Sequence, residues 1–283
     1  MKNKIVFIAD YFEDEIPGGG EKCNEVIIDF LSKKYEVLKI KSRFVNLELL
    51  KNNSNSFFII SNFLELNNNC LFQIQNNCRY AIYEHDHKYA KSRNPALYKN
   101  FLIPKNELTN LQFYKNAKLV ICQTKFHADI VKKNIEFNNI ISASTNFWSE
   151  KELNILKNNN NLKKEEVAFI LDSNIEHKNT FGSIEFCKQN NINYFIYSNL
   201  DYEKFINNIS RANKFVFLPK TPETFGRVAT ECKILGMKIY SNNLLGVFHE
   251  EWFKKFEGLE LLEYIKNSNI SFIKFIEEKI NEQ

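Results

Sequence analysis

Two glutamates, Glu223 and Glu231, fall within Pro219-Lys-Thr-Pro-Glu-Thr-Phe-Gly-Arg-Val-Ala-Thr-Glu-Cys-Lys-Ile-Leu-Gly236, the stretch of this chain best suited to hold a polar ligand. An ionised carboxylate only accepts hydrogen bonds, and it can take two hydroxyl donors at once. The stretch leaves an apolar run, Lys214-Phe-Val-Phe-Leu218, and turns through Pro219 and Pro222. It then opens a helical pattern and meets a second apolar run, Met237-Lys-Ile-Tyr240. A strand followed by a tight loop and a helix start forms an anion-binding unit, because the first N–H groups of a helix have no partner inside it. Two carboxylates beside such a start call for a ligand with both phosphates and hydroxyls, and a nucleotide-sugar has both.

Two further groups of residues carry chemical potential. Gly18, Gly19 and Gly20 stand between an apolar run at residues 5–9 and a helical pattern at residues 21–31. Without Cβ atoms they let backbone approach a ligand, and the helix start again offers donors to an anion; a flexible turn is an equal reading. The loop is neither a dinucleotide fingerprint nor a P-loop, since G-x-G-x-x-G and the Gly-Lys-Ser/Thr ending are both absent. Glu84-His-Asp-His87 closes an apolar run at residues 80–83, the strand end where open α/β sheets bind ligands. His85 and His87 could share a metal with Asp86 or Glu84, but no distant third ligand stands out and no metal is called for. A His85 that hydrogen-bonds a sugar hydroxyl or orients an acceptor is the favoured reading, with a plain surface pair as the alternative.

The elements that must position these residues follow from periodicity. Apolar, β-branched and aromatic runs at 5–9, 35–40, 57–60, 80–83 and 118–122 predict five strands, and runs at 167–171, 194–197, 215–218 and 237–240 predict four more. Helical spacing occupies 21–31, 126–134, 180–189, 202–212 and 226–235. Near-continuous apolar strands separated by helices predict parallel sheets buried on both faces, an α/β fold. Residues 149–166, polar and with four consecutive asparagines, read as a linker or exposed loop. The expected division is therefore 1–148, 149–265 and a last helix at 266–283. In that helix Ile270, Ile273, Ile276 and Ile280 share one face and could lean back on the first domain.

Composition narrows the class of function. The 283 residues suffice for two domains, and 44% hydrophobic with 25% charged residues is ordinary for a globular protein. A net charge of +4, with Lys interleaved among Glu and Asn, disfavours nucleic acid as the main partner. Cys23, Cys70, Cys78, Cys122, Cys187 and Cys232 show no C-x-x-C pair and read as core thiols of a reducing compartment. No apolar run approaches the ~20 residues of a membrane span. A cytoplasmic protein is expected, at most peripheral to the inner face of a membrane.

Taken in order, Pro17-Gly-Gly-Gly-Glu-Lys22, His85-Asp86, His177-Lys-Asn179 and Pro222-Glu-Thr-Phe-Gly-Arg227 with Glu231-Cys232 and Leu235-Gly236 resemble the GT-B-fold, retaining glycosyltransferases of family 4, the group 1 transferases. The likeness spans nearly the whole chain thinly and is sharpest from Phe215 to Gly246. Paired glutamates alone mean little, since Glu13 and Glu21 have the same spacing; their setting among strand, Pro-Glu, Phe-Gly, helix and Leu-Gly carries the weight. The resemblance implies two Rossmann-like domains facing a cleft, an N-terminal acceptor-side domain and a C-terminal nucleotide-sugar domain. It implies a metal-independent transfer of a hexose-type sugar with retention, the nucleotide-sugar being the donor substrate and no cofactor being needed. Glu223 would then hold donor-sugar hydroxyls and Glu231 the ribose. Lys178, the N–H groups of Thr224, Phe225 and Gly226, and the Gly18–Gly20 loop would hold the donor, and His85 would sit by the reacting sugar. The acceptor would be a glycan, a lipid-linked glycan or another hydroxyl compound. One departure stands out: Asp172-Ser173 occupy the place of the family's Gly-Arg. Losing that cation removes roughly 1.5–3 kcal/mol of charge-assisted hydrogen bonding, for which Lys220 or Arg227 could compensate. A catalytically impaired relative, acting as a nucleotide- or glycan-binding subunit, is the alternative.

Overall fold

A computed structural model describes residues 4–16 and 18–282; Pro17 of the glycine loop lies outside the described residues. The chain divides into two compact units, one of Met1–Phe147 with Asn269–Gln283, the other of Trp148–Ser268.

The first unit is built on a parallel sheet of β1 (Lys4–Ala9), β2 (Glu36–Lys41), β3 (Phe57–Ile60), β4 (Arg79–Glu84), β5 (Leu119–Cys122) and β6 (Ile140–Ser142), in the order β2-β1-β3-β4-β5-β6. Its helices are α1 (Gly19–Ser32), α2 (Leu47–Asn52), α3 (Asn68–Asn77), α4 (Leu111–Asn116) and α5 (Lys125–Asn134). The inner strands β1, β3, β4 and β5 are largely apolar because both faces are covered, whereas the edge strand β2, Glu-Val-Leu-Lys-Ile-Lys, is only partly buried. Val6, Ile8, Phe58, Ile60, Tyr80 and Ile82 enter one core, while Ile5, Phe7, Phe57, Ile59, Ala81 and Tyr83 enter another. Side chains two apart share a face, so one unbroken apolar run feeds two cores.

The second unit holds β7 (Glu165–Leu171), β8 (Tyr194–Tyr197), β9 (Ala212–Phe217) and β10 (Lys238–Ser241), again all parallel, in the order β10-β9-β7-β8. Helices α6 (Glu150–Asn159), α7 (Thr180–Gln189), α8 (Tyr202–Ile209), α9 (Arg227–Ile234) and α10 (Glu251–Lys255) complete it, and α11 (Gly258–Asn281) ends the chain. Starting at β8, this sheet runs second strand, first, third, fourth, the same order as β2-β1-β3-β4. Chain direction across the sheet reverses beside β1 and beside β7, the switch points where crevices open at the carboxyl ends of strands.

Two sequence expectations are corrected. Residues 149–166 are not a linker: Ser149 caps α6, its hydroxyl accepting from the Glu152 N–H while the Glu152 carboxylate accepts from the Ser149 N–H. Leu153 and Leu156 of α6 are buried in the core of the second unit, so a capping box and an apolar pair outweigh the asparagine run. On α11, Phe272, Ile273, Ile276 and Ile280 join the core of the first unit, whereas Ile270 is exposed. The period of 3.6 carries residue 270 off the buried face once Phe272 takes that place. Strand β6 and helices α2, α3 and α4, each short or asparagine-rich, were also not anticipated.

Candidate functional site

Each sheet ends at its carboxyl edge in charged side chains. In the second unit, β9 ends at Phe217 and the Pro219–Pro222 turn leads to Glu223. The segment is tied down by backbone bonds from the Glu223 N–H to Leu244 O (2.8 Å), from Gly246 to Glu223 O (2.9 Å) and from Val247 to Phe225 O (2.9 Å). Lys178, which ends a short 3-10 turn after β7, reaches across and donates to Glu223 Oε1 at 2.7 Å. Both side chains stay partly exposed, so the pair is open to exchange with a ligand.

Helix α9 begins beside this pair. Gly226 caps it with φ +104°, and a Cβ there would run into Leu245 Cδ1; both facts restrict the position to glycine. Phe225 is buried against Trp148 and Trp252. The N–H groups of Phe225 and Gly226 donate to no other described residue, which leaves them for an anion at the helix start.

One turn into α9, Glu231 is buried. Its Oε1 accepts from Trp148 Nε1 (2.8 Å), Tyr202 Oη (3.0 Å) and Arg227 Nε (3.1 Å). Burial raises its pKa, against Arg227, which lowers it. All three bonds converge on Oε1, so Oε2 is spare among the described hydrogen bonds. Arg227 also donates to Glu152 at 2.7 Å and lies 4.6 Å from the Trp148 ring centroid. Arg227 is thus bound by two carboxylates, and Lys220 faces Glu176 at 3.4 Å. Arg227 does not stand in for the arginine absent at Ser173, whose hydroxyl instead accepts from the Ile175 N–H at 3.2 Å.

In the first unit, His85 follows β4. Its Nε2 lies 2.9 Å from Asn24 Oδ1, its Nδ1 lies 2.6 Å from Gln123 Nε2, and the ring meets Tyr83 edge-on. An amide oxygen accepts and an amide nitrogen donates, so the imidazole is neutral with its proton on Nε2. Burial, then Lys88, lowers its pKa to about 3, in agreement. Gly20 belongs to the first turn of α1, and a Cβ on it would stand 3.4 Å from His85 Nδ1. Gly18 caps the helix, and Glu21 Oε2 occupies the space a Gly18 Cβ would need. The glycine loop therefore packs on His85, with Gly19 exposed beside it.

The residues around His85 form a buried polar knot. Lys88, wholly buried, donates to Glu84 Oε1 (2.5 Å) and Asp86 Oδ1 (3.0 Å). Tyr114 donates to Glu84 and Arg93 to Asp86. Burial raises Glu84 to about 7 despite Lys88. Burial also works against the charge on Asp86, but Lys88 and Arg93 outweigh it and hold that carboxyl below the usual range. His87 does not face the same way as His85: its Nδ1 lies 3.0 Å from Tyr89 Oη and its ring packs edge-on against His127. Among the described residues no three His, Cys, Asp or Glu side chains group as a metal site would require. No helix among them is long and apolar enough to cross a membrane, and all six cysteines are free.

The site partners Asn24, Gln123, Trp148, Tyr202 and Glu152 were not anticipated. Only the Arg227–Glu231 pair, four apart on one helix, left a local signal.

Neither a family model nor a curated protein matches this chain. Among solved structures it is similar to Anabaena Alr3699/HepE in complex with UDP and glucose, at 12% identity and TM-score 0.50, covering 98% of this chain and 91% of that one. It is also similar to sucrose-phosphate synthase from Thermosynechococcus elongatus, at 11% identity and TM-score 0.58, covering 87% and 82%. At these identities the likeness is one of fold, and it agrees with the expected class of two Rossmann-like units of the GT-B kind.

Proposed function

We propose that this protein transfers a sugar from a nucleotide-sugar to a hydroxyl acceptor, with the donor held by the second unit. The observation that carries the reading is the carboxyl edge of β7 and β9. There an exchangeable Lys178–Glu223 pair, two open N–H groups at the start of α9 and a spare Glu231 oxygen occur together. On donor binding, Lys178 leaves Glu223 for the diphosphate, and Glu223 becomes free to accept from sugar hydroxyls. The Phe225 and Gly226 N–H groups stabilise the departing diphosphate as preorganised dipoles. Glu231 Oε2 takes a ribose hydroxyl, its carboxylate already oriented by Trp148, Tyr202 and Arg227. None of these roles requires a metal or cofactor, and retention of configuration fits the family that the motifs resemble.

In the first unit, His85 serves as a neutral, fixed ring beside the glycine loop on the acceptor side. With both nitrogens engaged, it acts by shape and orientation unless the acceptor displaces Asn24 or Gln123. UDP-glucose is the first donor to test, because HepE of this fold is described with UDP and glucose. Turnover of UDP-glucose, or of another donor from a nucleotide-sugar panel, and its loss in Glu223→Gln would support the reading. Unchanged turnover in that variant would overturn the site.

A second reading rests on Ser173. With Arg227 bound by two carboxylates and Lys220 in an exposed contact with Glu176, Lys178 is the cation of the expected clamp that the described residues place against Glu223. A nucleotide-binding relative without transferase activity would show a thermal shift with UDP but no turnover with any donor. Ser173→Arg would then strengthen binding.

A further inference from the structure

We infer that the loop between β4 and α4 docks the protein on an anionic membrane surface. The chain leaves the buried knot at Lys88, makes a long excursion and returns. The neck of the loop is closed by the antiparallel Ala90–Leu108 bridge and by bonds from Lys91 N to Glu107 O (3.0 Å) and from Thr109 N to Tyr89 O (2.8 Å). Residues 91–106 contain Lys91, Arg93, Lys99 and Lys105 and no carboxylate. Within them Leu97 is 66% exposed and Leu102 is 61% exposed.

The outward leucines are held there. Asn134 on α5 donates to Phe101 O and accepts from the Ile103 N–H, each at 2.8 Å, and Pro95 and Ile103 are buried as anchors. Arg93 and Phe101 have positive φ, 54° and 61°, uncommon for large side chains, and Asn100 between them in the loop adopts the same region, which asparagine tolerates. Lys99 and Lys105 are exposed and form no ion pair among the described residues, and Lys133 adds a cation over the Phe101 ring. Two exposed leucines within residues 91–106, which carry four cations and no carboxylate, are complementary to an anionic bilayer surface. The leucines enter the acyl boundary while the lysines meet anionic headgroups. Arg93 ties the loop to Asp86, one residue from His85, so a lipid-borne substrate would meet the acceptor-side unit here.

The test is sedimentation of the full-length protein with vesicles of phosphatidylcholine alone or with 30% phosphatidylglycerol as an order-of-magnitude anionic load. Binding is expected to the anionic vesicles only and to weaken with salt. Lys99→Glu/Lys105→Glu should weaken it by more than about fivefold per lysine. Leu97→Ser/Leu102→Ser should weaken it while leaving the fold intact, since both side chains are already exposed. Absence of binding, equal binding to both vesicle types, or indifference to the leucine changes would each overturn the inference. Indifference to the leucines with full dependence on the lysines would identify a site for soluble polyanions instead. Vesicle binding needs no sugar donor, so this result stands apart from any transferase assay.

Discussion

In the six-stranded unit, the segment after β4 turns its charges inward: Glu84 and Lys88 are fully buried, and Asp86 is tied to Lys88 and Arg93. In the four-stranded unit, the segment after β9 leaves Lys178 and Glu223 paired but partly exposed, beside unpartnered N–H groups. The two sheets share one strand order, so topology does not account for the difference. Burial does. A buried ion pair resists change because separating it strands a charge in a poor dielectric, whereas a half-exposed pair exchanges partners at little cost. The first edge thus holds His85 in one place, whereas the second can exchange partners, as the proposed donor site requires.

The contrast can be broken at its closed end. Lys88→Met leaves the buried Glu84 without its cation and Asp86 with Arg93 alone, and should lower unfolding free energy by about 3–5 kcal/mol in urea titrations. Adding Glu84→Gln should recover part of that loss. At the open end, Glu223→Gln should leave stability nearly unchanged while lowering kcat/KM with a nucleotide-sugar by about a hundredfold or more. Lys178→Ala should weaken UDP binding by about 1.5–3 kcal/mol, read by calorimetry.

A smaller effect concerns pH. Burial raises Glu84 from the ordinary 4.5 to about 7, so in this window the native protein holds a proton that the unfolded chain has released. The stability contributed by this group is complete below pH 4.5 and is lost as pH rises through 7. Unfolding free energy should fall across that range, and Glu84→Gln should flatten the slope. The smallest change is expected for Lys220→Ala. Its exposed contact with Glu176 is a surface pair, and UDP affinity should stay within about twofold; a loss as large as that of Lys178→Ala would place Lys220 in the clamp.

Much of the fold was legible because it rests on local patterns. Runs such as Phe57–Ile60 and Tyr194–Tyr197 are strands as expected, the first buried on both faces and the second a partly exposed edge strand. The helix over Thr180–Gln189 is also as expected. The Ser149–Glu152 spacing is also a local helix-start signal, but the four asparagines at 158–161 favour a loop by composition, and only the burial of Leu153 and Leu156 decides for the helix. What local pattern could not supply was the partner of each site residue. Trp148 meets Glu231 across 83 positions and Asn24 meets His85 across 61, distances over which no periodicity extends.

The sequence by itself determined the α/β class, the glycine and Pro-Glu loops at strand ends and the presence of Lys178, Glu223 and Glu231. Each of these depends on neighbours within a few residues. Only the tertiary structure decided which charges are spent and which remain for a ligand. Arg227 and Lys220 look equally free in the sequence, yet the first is buried between Glu152 and Glu231 while the second keeps only an exposed contact with Glu176. The fate of a charge depends on burial and on the opposite charges that folding brings near it.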